Sequence, residues 1–469
     1  MNDSNNTYET LFNAQKANQY HIGQTSYKER IKKLKALKLA LEKTYRYELI
    51  EAIYKDFKKP KLETDLTEIY IVVKEIKYAI SNLKSWLKNQ SVETPITLLG
   101  TSSYIKYEPK GVCLIISPWN YPINLTFGPL VSAIAAGNTV ILKPSEMTTN
   151  TSAVMAKIVN ELFNNNEVAL IEGDVEVSQE LLKLPFNHIF FTGSPAVGKI
   201  VMQAAAKHLT SVTLELGGKS PTIIHESTNI KAAIQNLVWG KFLNNGQTCI
   251  APDYVLIHES IKSEFVEAFK TKTLEYYSEN PMTSESFSRI VNGKHFKRLV
   301  SYIENAKTNN ANIELGGDYD EVSNYIAPTL ISNVSEDALL MKEEIFGPIL
   351  PIKTYTSIDE VLDYINSKEK PLALYVYANN KKFIKTIINS TRAGSTCVNS
   401  NALQYSNHNL PFGGSNNSGI GKAHGFFGFQ EFSNARSVLK KHTVGPLHLL
   451  FPPYTKFKEK LVKATIKWF

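Results

Sequence analysis

The sequence is poor in cysteine and has no long apolar run, and each shortage excludes a class of protein. It has three cysteines in 469 residues, Cys113, Cys249 and Cys397. So sparse and odd a set is not a disulfide framework and indicates a reducing compartment, so we expect a cytoplasmic protein. No Cys-x-x-Cys pair or His/Cys cluster has the spacing of metal ligands, which argues against a metal site.

Signals for membrane insertion and secretion are also missing. No apolar run reaches the length of about 18 residues that a transmembrane helix needs, so we expect no transmembrane segment. The N-terminus lacks the basic start and apolar core of a signal peptide. The formal net charge of +8 permits only weak attraction to nucleic acid or anionic lipid. We interpret the N-terminal lysines as a solvated helix face and expect no nucleic-acid partner.

The chain does contain a repeating strand–helix pattern. Residues 8 to 90 have apolar residues at helical spacing. Short apolar runs then alternate with helical segments, and a second series of the same kind begins at Thr213. Units of this length predict two doubly wound α/β domains. The buried strands of the first series are predicted in "GVCLIISP", "TVILKPS", "EVALIEG" and "HIFFTGS", and a hairpin or extended arm in "SVETPITLLGTSSYIKYEPKG".

Two short segments at predicted strand ends have the features of a ligand site. In "FFTGSPAVGK", Gly193 turns the chain from a strand into a helix, whose free N–H groups would face an anion. An ordinary strand–helix turn explains this segment about as well. In "TVILKPSEMT", Lys143 and Glu146 follow a buried strand, where open α/β sheets bind ligands. A solvated pair that opens the next helix is the ordinary alternative.

Two further segments have the residue types of a cysteine enzyme. In "TLELGGKSP", Glu215 lies between leucines, and apolar surroundings raise a carboxyl pKa toward the range of a general base. In "NNGQTCIAP", Cys249 would need a lowered pKa and access to act as a nucleophile, and Gly246 would let the backbone approach a reacting group. The alternatives are a surface glutamate on an edge strand and a buried structural thiol. We interpret Cys113 and Cys397 as structural thiols.

Seven motifs occur in a fixed order along nearly the whole chain: "SPWNYP", "AAGNTVILKPSE", "FTGSPAVGK", "LELGGKSP", "NNGQTCIAP", "EEIFGP" and "LPFGGSNNSGIG". Together they resemble the aldehyde dehydrogenase superfamily, and chance would have to supply all seven. The 34 positions from Glu215 to Cys249 also agree with that family. The segments "CIAPDYV" and "HGFFGFQEFS" are similar to class 3 and fatty aldehyde dehydrogenases. Ser415 and Asn416 depart from the usual glycine-rich loop, which contributes shape rather than chemistry.

The resemblance implies an α/β fold with a cofactor domain, a catalytic domain and a small β oligomerisation arm. It also implies a homodimer, in which the arm near residues 90 to 107 and the segment after residue 425 cross to the partner. The expected division is an NAD(P)-binding domain at 1–85 and 108–213, a catalytic domain at 214–403, bridging segments at 86–107 and 404–445, and a C-terminal tail at 446–469.

The chemistry implied by the resemblance is oxidation of an aldehyde to the carboxylic acid. Cys249 would attack the aldehyde carbon as a thiolate, and the oxyanion would be held by the side-chain amide of Asn120 and the N–H of Cys249. Hydride would pass to the nicotinamide. Glu215 would then activate the water that hydrolyses the thioester. The class favours medium and long aliphatic and aromatic aldehydes, and Tyr121 and residues 404–408 are candidates for the substrate funnel.

The resemblance also assigns the cofactor contacts. A carboxylate at position 146 accepts ribose hydroxyls and repels a 2′-phosphate, which favours NAD and leaves use of NADP open. His408 and His424 are interpreted as structural, and no metal is expected. The assigned contacts are Lys143 and Glu146 to the adenosine ribose, Gly193, Ser194 and Val197 to the pyrophosphate and adenine, Glu344 and Phe346 to the nicotinamide ribose and ring, and Trp119 beside Asn120.

The C-terminal tail has two interpretations. Lysines fall on one helical stripe and apolar residues on its neighbour, which is typical of a helix lying on anionic lipid. A helix docked on the protein's own dimer near the substrate entrance explains the pattern equally well. The stripes are Lys456, Lys460, Lys463 and Lys467, and Phe457, Leu461, Ala464 and Trp468.

Two other functions remain as alternatives. One is a relative that passes the acyl group of the thioester to coenzyme A. Glu215 argues against it, because a base that activates water is what a hydrolytic dehydrogenase needs. The other is a fold kept as a structural or binding protein, which an intact set of Cys249, Glu215 and Asn120 makes a poor explanation.

Overall fold

The structure, a computed structural model, describes residues 2–443 and 445–468. The chain begins with five helices, of which α2, α5 and their neighbours carry the amphipathic pattern that the sequence predicts. Short π-helical turns, Ala40–Thr44 and Asp65–Ile69, join α2 to α3 and α4 to α5. The five helices are α1 (Asn2–Gly23), α2 (Tyr27–Leu39), α3 (Arg46–Phe57), α4 (Lys61–Thr64) and α5 (Tyr70–Trp86).

Strands and helices then alternate, after two strands of an arm. The elements up to Leu216 are β1 (Gln90–Val92), β2 (Thr101–Pro109), β3 (Val112–Ile116), α6 (Pro122–Ala136), β4 (Thr139–Lys143), α7 (Thr149–Leu162), β5 (Val168–Leu170), α8 (Val175–Leu181), β6 (His188–Gly193), α9 (Pro195–Ala206) and β7 (Ser211–Leu216).

The second series follows directly. Its elements are β8 (Pro221–Ile224), α10 (Ile230–Phe242), β9 (Tyr254–His258), α11 (Lys262–Tyr277), α12 (Gly293–Thr308), β10 (Asn312–Leu315), β11 (Tyr319–Asp320), β12 (Tyr325–Ile326), β13 (Thr329–Ser332), α13 (Leu339–Lys342), β14 (Ile349–Tyr355), α14 (Ile358–Asn366), β15 (Ala373–Tyr377), α15 (Lys381–Ser390) and β16 (Ser395–Val398). The chain ends with β17 (Gly419–Ile420), α16 (Gly425–Glu431), β18 (Ser433–Lys441) and α17 (Lys456–Trp468).

The first sheet has the strand order β17-β7-β6-β3-β4-β5 and is parallel except at β17. Its central strands are buried apolar runs, as parallel strands covered on both faces require. Helices α5, α6 and α7 pack on one face, and α1, α8 and α9 on the other. The doubly wound arrangement predicted from the sequence is therefore present.

The second sheet has the order β10-β13-β14-β9-β8-β15-β16 and is parallel except at β10. It also has an apolar core on each face. The strand that carries Glu215, β7, pairs with β6 and so belongs to the first sheet, which extends to Leu216. The division of the chain into domains stays a prediction, and the turn between β7 and β8 is where one sheet gives way to the other.

A third, three-stranded antiparallel sheet, β1-β2-β18, forms the arm. This confirms the hairpin expected near residues 90 to 107, which gains β18 as its third strand. Among the described residues, no helix is both long and apolar enough to cross a bilayer.

Candidate active site

Cys249 follows α10 on a loop with an unusual backbone. Asn244, Asn245 and Gly246 have φ values of 54°, 58° and 71°, a left-handed run that asparagine and glycine tolerate best. A Cβ on Gly246 would lie 2.2 Å from the carbonyl oxygen of Gly347. The close approach that the structure shows is therefore to the backbone of "EEIFGP", and the expected approach of this backbone to a reacting group stays a prediction. Gly246 packs the loop that carries Cys249 against that segment.

The Cys249 thiol is partly exposed and free. Burial raises the pKa of Cys249 to about 12, and the nearby Glu344 and Glu215 carboxyls add to the rise. The lowered pKa that the sequence analysis requires of a nucleophile is therefore not found. The thiol is protonated near neutral pH, so a neighbouring base has to accept its proton before or during attack.

Asn120 lies on the turn between β3 and α6 and is buried. Its Nδ2 donates to the carbonyl oxygen of Gln247 at 3.0 Å, two residues before the nucleophile. Its own backbone oxygen accepts from Asn244 Nδ2 at 2.8 Å. One N–H of the Asn120 amide remains free for an oxyanion, and the two loops are held together by hydrogen bonds in both directions.

A buried set of charges behind these loops holds them in place. Glu68, from the π-helical turn before α5, accepts the N–H groups of Ile123 and Asn124 at 3.1 and 2.9 Å and so caps α6. Lys59 donates to Glu68 at 2.8 Å and lies 3.9 Å from the centre of the Tyr121 ring. The Lys59–Glu68 pair therefore stabilises the turn that carries Asn120.

A hydrogen bond from the same region also holds the loop that carries Cys249. Glu63 accepts the N–H of Asn244 at 3.1 Å, and burial raises the pKa of Glu63 to about 7. One short helix and the π-helical turn after it therefore hold both loops.

Glu215 is 6% exposed, and neither carboxyl oxygen has a hydrogen-bond partner. Burial raises the pKa of Glu215 well above its ordinary value, Lys422 opposes this rise and Glu431 adds to it. The alternative of a surface glutamate is excluded. An unpartnered carboxyl beside a thiol is expensive to bury, which favours a functional role.

Cys249 lies where three cavities meet, and Glu215 lines two of them. The first cavity has a volume of about 210 Å³ and brings together most of the predicted cofactor residues. Among the residues that line it are Trp119, Asn120, Gly193, Ser194, Glu215, Cys249, His295, Arg298, Glu344 and Phe346.

The predicted cofactor residues outside this cavity lie at the same edge of the first sheet. Lys143 ends β4, is 1% exposed and has its Nζ 4.0 Å from the carboxylate of Glu146. Burial lowers the pKa of Lys143, and Glu146 opposes this shift. Val197 lies in the first turn of α9, where its N–H donates to the Ser194 side chain. The described residues that line the cavity do not include Lys143, Glu146 or Val197.

Two glycines and a helix N-terminus form part of the cavity wall. A Cβ on Gly217 would lie 2.2 Å from a carboxyl oxygen of Glu344, and one on Gly198 would lie 2.7 Å from Leu216. Glycine at these positions lets Glu344 and α9 approach β7 closely. The twelve-residue α9 begins at this cavity with Ser194 as its N-cap, and a helix N-terminus favours an anion. The residues present therefore fit a nicotinamide dinucleotide.

Side chains of "LELGGKSP" and "CIAPDY" hold the segment that carries Glu344 and Phe346. Lys219 donates to Asp253 and to the Glu343 carbonyl oxygen, the latter at 2.8 Å. Asp253 in turn accepts the N–H of Ile345 at 2.8 Å. Burial and the charge of Asp253 raise the pKa of Glu344 to about 8. The Asp of "CIAPDY" and the Lys of "LELGGKSP" thus hold the segment that faces the cofactor cavity.

Two residues of this cavity, His295 and Arg298, are not among the predicted site residues. Arg298 donates to the carbonyl oxygens of Glu344 and Ile345 at 3.2 and 2.9 Å. The His295 ring lies 5.2 Å from Trp119, and burial, Arg298 and Lys294 lower its pKa to about 4. Both residues lie on α12, outside the seven motifs, and only their helical spacing of three could have connected them.

The second cavity is an apolar funnel of about 340 Å³ that ends at Cys249. Of the predicted funnel residues, Tyr121, Tyr405 and Ser406 line it. Gln404 instead faces Tyr375 and Ser395. Residues that sequence reasoning missed supply most of the apolar wall: Leu66, Tyr70, Ile71, Trp239, Leu243, Ile250, Ala402 and Leu403.

The third cavity is small, about 50 Å³, and runs from Glu215 and Cys249 toward Glu75 and His424. His424 Nδ1 lies 3.4 Å from a carboxyl oxygen of Glu75, and His408 Nδ1 makes an ion-pair contact of 2.9 Å with the same oxygen. The other oxygen of Glu75 accepts the N–H of Gly425 at 2.8 Å. Burial raises the pKa of Glu75, but the two histidines outweigh it and lower the pKa to about 2. The ligand atoms of the three side chains lie within 4.8 Å of one another, close enough for a metal ion. The structural interpretation of both histidines stays a prediction.

Known proteins resemble this chain over nearly its whole length. The model of the aldehyde dehydrogenase family matches residues 2–438. The 4,4'-diaponeurosporen-aldehyde dehydrogenase of Staphylococcus aureus is 46% identical over 441 residues, which cover 94% of each chain. Aldehyde dehydrogenase family 3 member A2 of Macaca fascicularis is 42% identical and covers 92% of this chain and 88% of its own.

Solved structures agree with these sequence matches. The substrate-bound state of Staphylococcus aureus AldH has a TM-score of 0.93 and 44% identity, covering 98% of this chain and 99% of its own. An NAD+ complex of aldehyde dehydrogenase from Bacillus cereus has a TM-score of 0.85 and 28% identity, covering 94% and 89%. The fold and the family that the sequence motifs imply are therefore confirmed. The chain belongs to the aldehyde dehydrogenase family and is an NAD(P)-dependent oxidoreductase.

Proposed function

We propose that this enzyme oxidises medium-chain or long-chain lipophilic aldehydes to carboxylic acids through a thioester on Cys249. The meeting of three cavities at the Cys249 thiol supports this most strongly. One cavity fits the cofactor, one is an apolar funnel for the aldehyde, and one is large enough to hold a water molecule beside Glu215. NADH formation from hexanal is the direct test, and its absence with pure enzyme and cofactor would contradict the proposal.

The first half of the reaction makes the thioester. Sulfur of Cys249 bonds to the aldehyde carbon while its proton passes to Glu215, which lines two of the same cavities. The carbonyl oxygen becomes an oxyanion, and the free N–H of the Asn120 amide and the N–H of Cys249 stabilise it. When bound, the nicotinamide cofactor accepts the hydride that the carbon loses. The C=O bond re-forms and leaves an acyl group on sulfur.

The second half releases the acid. Glu215 releases the Cys249 proton to solvent, then takes a proton from water, and the hydroxide oxygen bonds to the acyl carbon. The carbon–sulfur bond breaks, Glu215 returns its proton to the Cys249 sulfur, and the carboxylic acid leaves. Transfer of the acyl group to coenzyme A is the alternative. The buried, unpartnered carboxyl of Glu215 lines two cavities with Cys249 and can activate water there, which favours hydrolysis. Acceleration of NADH formation by coenzyme A would support the alternative.

The apolar funnel predicts a preference for longer aldehydes. Each methylene buried contributes about 0.8 kcal/mol, so kcat/KM should rise roughly fourfold per carbon until the funnel is filled. The name of one relative, 4,4'-diaponeurosporen-aldehyde dehydrogenase, fits a large aldehyde substrate. An aldehyde series from propanal to dodecanal, assayed with NAD, measures this slope.

A matched pair of variants locates the effect. Leu403→Ser should lower kcat/KM for decanal by about tenfold and for propanal little, because Leu403 lines the funnel. Leu410→Ser is the control, since Leu410 is also exposed, lies on the same loop and is not among the lining residues. Equal effects of both variants, or a flat series, would contradict the assignment of the funnel.

We infer a preference for NAD over NADP from Glu146. Its side chain is exposed beside buried Lys143 at the ligand-binding edge of the sheet, where it would repel a 2′-phosphate. The ratio of kcat/KM for NAD to that for NADP should exceed one and should fall in Glu146→Gln. Glu180→Gln, which alters a partly exposed glutamate paired with Lys183, should leave the ratio unchanged. Equal or NADP-favouring values in the wild type would refute the preference.

We also propose a homodimer that pairs through the arm. Strand β18 is the nine-residue edge of the arm sheet and is almost wholly exposed, so it offers unpaired backbone groups to another chain. Light scattering should give twice the chain mass of 52.6 kDa. A stable monomer at assay concentration would exclude this arrangement.

A further inference from the structure

The C-terminal segment after residue 445 forms a surface that the active site does not use. No described residue of α17 is buried. Tyr454, Phe457, Ile466 and Trp468 are each more than 70% exposed, which is unusual for four large apolar side chains in 15 residues. We define the tail surface as Leu447, Leu449, Phe451, Tyr454, Phe457, Ile466 and Trp468 together with Lys456, Lys460, Lys463 and Lys467.

The charges of the tail surface are strongly one-sided. Residues 456–468 contain five lysines and one glutamate, Glu459, and so carry half of the net charge of +8. Four of the lysines follow one stripe of the helix, directly beside the stripe that contains Phe457 and Trp468. Lys440 and Lys441 at the exposed end of β18 extend the basic region. Lysine at the edge of an apolar face suits a surface that is negatively charged outside and apolar beneath.

From this arrangement we propose that the tail surface docks the enzyme on a bilayer containing anionic phospholipid. The inference rests on the proposed function, since an enzyme of lipophilic aldehydes meets its substrate in a membrane. At 13 residues, α17 is about 20 Å long, too short to cross a hydrocarbon core of about 30 Å. It therefore lies in the interface, with Phe457, Leu461 and Trp468 inserted and the ammonium groups of the neighbouring lysine stripe at the phosphates.

A second copy of the chain is the other partner that could bind to the tail surface. Charge argues against it, because β18, the strand that we assign to the dimer, carries Arg436, Lys440 and Lys441 and no acidic residue. Pairing there would bring more positive charge toward the lysines of each tail. An anionic lipid surface supplies the opposite charge along the whole stripe.

Co-sedimentation with vesicles tests the proposal. The full-length enzyme should sediment with phosphatidylcholine vesicles that contain phosphatidylglycerol, and not with pure phosphatidylcholine. Replacing the four stripe lysines, Lys456, Lys460, Lys463 and Lys467, with Gln should weaken binding at least about tenfold, and Phe457→Ser with Trp468→Ser should do the same. High salt should weaken binding of the wild type.

The control changes the same amount of charge elsewhere. Gln at Lys28, Lys32, Lys35 and Lys55, exposed lysines of α2 and α3, should leave vesicle binding unchanged. Equal sedimentation of wild type and stripe variant would overturn the proposal. So would a wild type that ignores the vesicles while the stripe variant loses its dimer in light scattering, which would identify a second copy as the occupant.

Hexanal oxidation in the absence of vesicles separates this inference from the proposed function. Wild type and stripe variant should form NADH from hexanal at the same rate, because hexanal reaches the funnel from water. An enzyme that binds vesicles but oxidises no aldehyde would refute the proposed function and leave the docking surface standing.

Discussion

Replacing Cys249 with alanine is expected to lower kcat/KM for aldehyde oxidation by about 10⁴-fold or more. Without the sulfur, no covalent carrier exists and the oxyanion of the first step cannot form. The variant should keep its melting temperature and its affinity for NAD, because Cys249 is partly exposed and shares the cofactor cavity with many other contacts. NADH absorbance with hexanal measures the loss.

Cys397→Ala is the matched control for this variant. Cys397 is also a partly exposed free thiol with a pKa raised by burial, but it lies on β16, outside the three cavities. It should retain wild-type activity. Residual activity of Cys249→Ala above about one per cent, or loss in Cys397→Ala, would show that another group carries the acyl intermediate.

Replacing Glu215 with glutamine should separate the two halves of the reaction. The first turnover should release close to one NADH per active site, and later turnovers should slow by about 10²- to 10⁴-fold, because the thioester waits for unassisted water. Stopped-flow absorbance measures the burst and the steady rate. Because Glu215 also takes the Cys249 proton in the first step, the burst should keep its amplitude but form more slowly than the first turnover of the wild type.

The pH dependence of hydrolysis follows from the same residue. Only ionised Glu215 can take a proton from water, and burial raises its pKa, so wild-type kcat should rise with pH through this raised pKa. The rising limb should be absent from the slow steady rate of Glu215→Gln. Glu75→Gln is the control, since Glu75 lines the far end of the same small cavity and should turn over without a burst. A burst in Glu75→Gln and none in Glu215→Gln would reverse the assignment.

The motifs and their order could be recognised in the sequence, but the hydrogen bonds that connect them in the structure could not be predicted. "LELGGKSP", "CIAPDY" and "EEIFGP" occur together because Lys219 and Asp253 hold the backbone around Ile345 beside the cofactor cavity. The sequence shows each motif as a local pattern. Hydrogen bonds that span about 90 residues appear only when the second sheet brings its strand ends together.

The electrostatics of Cys249 are a second point at which the sequence was insufficient. The pKa of a thiol depends on charges that are distant in sequence, and here the nearest are carboxyls that raise it. Glu215 behaved differently, because its leucine neighbours on β7 are themselves enough to predict burial and a raised pKa. The contact of Gly246 could not be predicted for a similar reason, since its close neighbour is the carbonyl oxygen of Gly347, 101 positions away.

The funnel shows where prediction from one sequence ends. Its walls come from the π-helical turn before α5, from α5 and α10, and from the loop after β16, each with one to three apolar residues. Ile71 and Trp239 read as ordinary core positions of amphipathic helices in the sequence. They line the funnel only because the turn at residues 65–69 and the loop at 402–406 leave space next to Cys249.

The central claim is a thioester between Cys249 and the oxidised aldehyde, and peptide mass spectrometry tests it most directly. Glu215→Gln mixed with excess hexanal and NAD, then quenched in acid and digested, should show one hexanoyl group on the peptide that contains Cys249. The adduct should be absent without NAD, because hydride loss precedes the thioester. An unmodified Cys249 peptide after a full burst of NADH, or a hexanoyl group on another residue, would contradict the account.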